Sequence, residues 1–74
     1  MSNQNVKARK KVVPFDVKYK EWLDEDITAE LFVVIHATSV DEAHRLARQH
    51  AYDKDGAKLV RILECERILM DAVQ

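Results

Sequence analysis

One glycine, one proline and one cysteine in 74 residues rule out several kinds of protein. A lone glycine, Gly56, cannot build the glycine-rich loop that cradles phosphates in nucleotide-binding folds. A lone cysteine, Cys65, cannot close an internal disulfide and has no CxxC neighbour, so no disulfide scaffold or thiolate zinc site is specified. A buried structural thiol is the simpler reading of Cys65. No run approaches the roughly 20 apolar residues of a membrane span. No apolar stretch opens the chain as in a secretory signal. These absences predict a reduced, cytoplasmic protein without a membrane partner.

The residues that carry chemistry are equally sparse. Of the three histidines, His44 and His50 stand six apart, not the four that would put both rings on one helix face. His36 has no cysteine or acid at ligand spacing. The acids and histidines form no triad-like arrangement. The expectation is a non-enzymatic protein with no cofactor and no metal.

What the chain does have is charge in blocks. Its formal charge of −1 combines a cationic start with an acidic remainder. Residues 1–11 contain Lys7, Arg9, Lys10 and Lys11 and no acid, which makes this segment +4 and the rest −5. Blocks of like charge are often interaction tails. With Val6 its only aliphatic residue larger than alanine, this segment cannot bury itself and is expected to be a disordered basic tail. The remaining residues, 12–74, are expected to form a single α+β domain. A hydrophobic content of 47% is enough for a core, but a core this small adds only a few kcal/mol, so a partner or a second copy can matter to it.

Along the domain the hydrophobic period changes. Val13, Phe15, Val17 and Tyr19 alternate with polar residues and Pro14, which predicts a half-buried strand. The acidic segment 21–26, EWLDED, lacks glycine and reads as a longer loop carrying Trp22 and Leu23. A second strand is expected over 28–37. Ala29, Leu31, Val33 and Ile35 lie on one face and Phe32 and Val34 on the other, as in a strand covered on both sides. Ser39 and Glu42 form a capping box for a helix. Val40, Ala43, Leu46, Ala47 and His50 or Ala51 form the stripe of that helix. Gly56 ends the following loop with a positive φ. Residues 57–65 suit a third strand, and Ile68, Leu69, Ala72 and Val73 a short C-terminal helix. One continuous helix from about residue 58 is the competing reading. The result is a β-β-α-β domain with an antiparallel or mixed three-stranded sheet in the order 2-1-3, with one main helix and a short C-terminal helix.

The candidate partner-binding residues are Lys7, Arg9, Lys10 and Lys11 in the tail; Trp22, Leu23, Asp24 and Glu25 in the acidic segment; and Phe32 and Val34 on the second strand. A disordered cationic arm can follow phosphates or enter an acidic protein groove. The acidic body repels a nucleic-acid backbone, and no aromatic residue stands among the tail's cations to stack on bases. Nucleic acid is therefore a secondary partner. Tryptophan is enriched at interface hot spots, and neighbouring carboxylates can steer a basic partner. Phe32 and Val34, if uncovered, mark an interface or a homodimer.

The stretch FVVIHATSVDEAHRLARQHA, followed by a turn and KLVRI, resembles the layout of small phage-encoded host-takeover proteins. Its matching residues, Ser39, Glu42, Ala43 and Ala47, are structural and carry no functional role across. The resemblance implies a phage transcription regulator that binds and inhibits host RNA polymerase in the host cytoplasm. Alternatives are an anti-CRISPR-type inhibitor, a nucleic-acid-binding protein and a small homodimeric assembly protein.

Overall fold

The structure is a computed structural model and describes residues 11–69. Four elements follow in chain order: β1 (Val13–Asp24), β2 (Ile27–Ala37), α1 (Val40–Lys54) and β3 (Leu59–Arg67). β1 lies in the centre of a three-stranded sheet of order β2-β1-β3 and pairs antiparallel with both neighbours. The outer strands therefore run parallel to each other. α1 carries the chain from one edge to the other across a single face, as an α+β domain requires.

The period-two pattern of β1 sorts its side chains. Phe15, Val17, Tyr19 and Glu21 are buried toward the helix, and Asp16, Lys18, Lys20 and Trp22 point the other way. Two clusters form under α1. Phe15 and Val17 pack with Ala37, Ala43 and Ala47; Tyr19 packs with Ala51, Ala57 and Val60. The helix presents only alanines as its fully buried residues, so its backbone can approach the sheet closely. Val40, expected on the buried stripe, is exposed.

Both ends of α1 are closed by side chain and turn chemistry. Ser39 accepts a hydrogen bond from the Glu42 N–H at 3.1 Å, as expected. The reciprocal half of the box differs. Glu42 Oε1 accepts from the Thr38 N–H at 2.6 Å and from the Thr38 hydroxyl at 2.8 Å, one residue before Ser39. At the other end the Ala51 carbonyl accepts from the N–H groups of Asp55 and Ala57. Gly56 turns the chain there with φ of 71°, and the Lys58 N–H donates to Trp22 C=O at 2.8 Å, which feeds the chain into β3.

Three expectations change. The segment 21–26 is not a longer loop. β1 continues through Asp24, and only Glu25 and Asp26 turn between the strands. A bulge absorbs the mismatch: Trp22 pairs with Thr28 and Asp24 with Ile27, which leaves Leu23 as the extra residue. The Glu25 N–H donates to Asp24 Oδ1 at 2.8 Å within this glycine-free turn. Second, among the described residues β2 is covered on one side only; Phe32 is 65% exposed and Val34 53%. Third, the expected C-terminal helix does not begin at Ile68; residues 59–67 are strand, as the preferred reading had it, and the continuous-helix alternative is excluded. Ile68 and Leu69 are not helical. The remainder of the expected C-terminal helix, and tail residues Lys7, Arg9 and Lys10, lie outside the described residues. No helix among the described residues is long and apolar enough to cross a membrane.

Candidate functional site

The sheet face turned away from α1 carries the exposed apolar side chains. Register defines its rows. Thr28, Trp22 and Leu59 form the row nearest the hairpin tip, followed by Glu30, Lys20 and Arg61, then Phe32, Lys18 and Glu64, then Val34, Asp16 and Glu66. His36 and Pro14 close the far end. Leu59 and Phe32 are more than half exposed. Leu63 is the extra residue of a second bulge, between the pairs Tyr19–Ile62 and Lys18–Glu64, and is also exposed.

The lysines of β1 partly shelter the two aromatic rings. Lys18 Nζ sits 5.6 Å from the centroid of Phe32, and Lys20 Nζ 5.1 Å from that of Trp22. Each contact contributes about 0.5–1 kcal/mol at an exposed site. Lys18 also reaches Glu30 at 3.8 Å. The ammonium groups thus lie over the rings and leave apolar area open.

The acidic segment divides between the two faces. Trp22 lies half-buried on the open face, but Leu23 turns under the sheet and packs beside Tyr19, Ala51 and Val60. The pair therefore forms no joint apolar surface. Asp24, Glu25 and Asp26 are exposed at the hairpin tip, where three successive carboxylates can steer a basic partner. Lys11 is exposed just before β1. Cys65 is half-buried on the helix side, and burial pushes its thiol up, away from the reactive thiolate form. Among the described residues no group of histidine, cysteine, aspartate and glutamate is arranged to hold a metal.

Sequence reading missed a buried polar cluster beneath the same strand. Tyr19 Oη donates to Asp55 Oδ2 at 3.1 Å. Burial, then this hydrogen bond to a carboxylate, pushes the Tyr19 hydroxyl up to about 12. Glu21 is only 3% exposed, and its Oε1 has no hydrogen-bond partner among the described residues. Desolvation, followed by the hydrogen bond and charge of Asp55, raises the Glu21 carboxyl above the ordinary range. The signal was in the chain: the alternation that buries Phe15, Val17 and Tyr19 puts Glu21 next on the inward side. No family model, curated protein or solved structure matches this chain.

Proposed function

We propose that this protein is a non-enzymatic, phage-encoded regulator that docks on a host complex, RNA polymerase, and inhibits transcription in the host cytoplasm. The exposed apolar side chains of the open sheet face carry the reading. Phe32, Val34 and Leu59, with Trp22 beside them, form the kind of surface that marks an interaction site when it stays uncovered. The acidic tip at Asp24 and Glu25 orients the approach. Lys7, Arg9, Lys10 and Lys11 extend into an acidic or nucleic-acid-lined channel of the complex. Inhibition is steric: the bound domain blocks a channel or a rearrangement.

Transcription by purified bacterial RNA polymerase, with and without the protein, tests this. The full chain should bind the enzyme and reduce transcript yield. A double variant, Phe32→Ser with Val34→Ser, should lose at least about tenfold in affinity, as expected when two contacts at an interface centre are removed. Deleting residues 1–11 should weaken inhibition and reduce its salt dependence. Absence of both binding and inhibition by the full chain would reject the target.

A further inference from the structure

The open face holds like charges side by side in two places. Register sets Lys20 directly beside Arg61 and Asp16 directly beside Glu66, with Lys18 beside Glu64 in the row between. Like charges directly opposite on neighbouring strands destabilise a sheet. Among the described residues, Lys20, Arg61, Asp16 and Glu66 form no ion pair that would offset this. Glu30 stands opposite Lys20 on the β2 side, so a net-positive row, a mixed row and an anionic row follow one another along the strands. Reversed end to end, this pattern is its own complement.

We propose that a second copy of this chain covers the open face. The two sheets stack face to face with their strands antiparallel, about a twofold axis that crosses the strands at the Lys18 row. This symmetry puts Arg61 of one copy over Glu66 of the other and Lys20 over Asp16, twice in each dimer. At the axis Lys18 faces its own equivalent and Glu64 its own, each with the opposite charge one strand away, so the attraction comes from the rows on either side. Stacking with the strands parallel would set Lys20 on Lys20 and Asp16 on Asp16, with only Arg61 over Glu30 complementary, so charge favours the antiparallel arrangement.

The apolar residues agree with the same operation. Phe32 meets its own equivalent near the axis, an isologous contact. Val34 comes over Glu30, whose carboxylate its own Lys18 already engages at 3.8 Å. Trp22 comes over the far end of the sheet. There the Ile68 N–H donates to Pro14 C=O at 3.0 Å, continuing the β1–β3 register one pair further. Pro14, on the open face, and Ile68 are the apolar residues that the indole meets there, at the edge of a cleft of about 210 Å³ that Val13, Arg67 and Leu69 also line.

The face is small. Three strands spaced at about 4.8 Å, with about nine residues of roughly 3.3 Å rise, give on the order of 400 Å² per copy. A standard stable interface buries about 800 Å² per partner. The dimer is accordingly weak and reversible, and it competes with any other occupant of Phe32 and Val34. The inference needs no polymerase and stands or falls separately from the function proposed above.

Sedimentation equilibrium of the full chain at low salt, from about 10 μM to about 1 mM, brackets a weak dimer. The average mass should rise with concentration toward twice the 8.6 kDa of the monomer. Arg61→Glu should weaken association at least about tenfold, because two symmetric contacts become repulsive. Adding Glu66→Arg to that variant should restore association to within about threefold. Each change places opposite charges side by side within one sheet, so the fold is not weakened, and a thermal melt checks this. A monomer mass at all concentrations would overturn the proposal. So would undiminished dimerisation of Arg61→Glu, or a double variant as weak as the single one.

Discussion

Tyr19 and Asp55, 36 residues apart, are joined by a 3.1 Å hydrogen bond between the middle of the central strand and the C-terminal end of the helix. Tyr19 is 2% exposed, and Asp55 stands at the surface. Water can therefore replace the tyrosine as a donor when the bond is removed. Tyr19→Phe should cost about 1 kcal/mol, the net worth of such a bond. Chemical denaturation at neutral pH measures it. A loss above about 3 kcal/mol would mean that the hydroxyl holds more than this one contact.

The neighbouring Glu21 makes stability depend on pH. Its carboxyl is raised, first by burial and then by Asp55, so the folded chain binds that proton more tightly than the unfolded chain. The contribution of this proton is fully present below the ordinary glutamate range and is lost as pH rises through the raised value. Glu21→Gln removes the titrating group and keeps the shape. Its melting temperature should be higher than that of the parent above the raised value, and its dependence on pH flatter across this window. Parallel slopes for the two proteins would show that Glu21 carries no tightly held proton.

Gly56 allows a test of backbone conformation without packing effects. Its φ of 71° is left-handed, and a Cβ built there meets nothing within 4 Å. Gly56→Ala should therefore cost about 1–2 kcal/mol, the conformational penalty alone. Gly56→Asn should cost less, because asparagine tolerates this region. Equal losses for the two variants would point to a steric cause.

The alanine layer beneath α1 predicts intolerance of larger side chains. Ala43, Ala47 and Ala51 have no exposure. Ala47→Leu should destabilise by about 1–3 kcal/mol through overpacking. Arg48→Leu on the exposed side should stay within about 0.5 kcal/mol. Urea midpoints of the two variants compare them directly.

Local features of this fold were readable because local physics determines them. The alternation from Val13 to Tyr19 requires a strand, Ser39 can cap only a helix start, and Gly56 marks the positive φ. The errors came where one residue had two competing roles. Glu21 looked like the start of a loop because a carboxylate on the inward face breaks the apolar period, yet it is buried, with its carboxyl raised by desolvation and then by Asp55. The Leu23 bulge then shifted the alternation by one residue and concealed the end of the strand. Phe32 and Val34 had the pattern of a strand covered on both sides. Composition cannot reveal that, among the described residues, the second cover is missing. The paired like charges on the open face were invisible for a different reason: Lys20 and Arg61 become neighbours only once β3 is in register beside β1.

The central position of β1 also orders events in time. Its pairing with β2 closes through a two-residue turn and needs only adjacent chain, whereas its pairing with β3 joins Phe15 to Arg67. Contacts so distant in sequence form slowly, because loop closure must precede their reward. During synthesis the hairpin emerges first, with one edge of β1 unpaired and Tyr19 and Glu21 not yet roofed. Until β3 leaves the ribosome, that edge of β1 has no partner strand, and an unpaired edge is open to pairing with another chain.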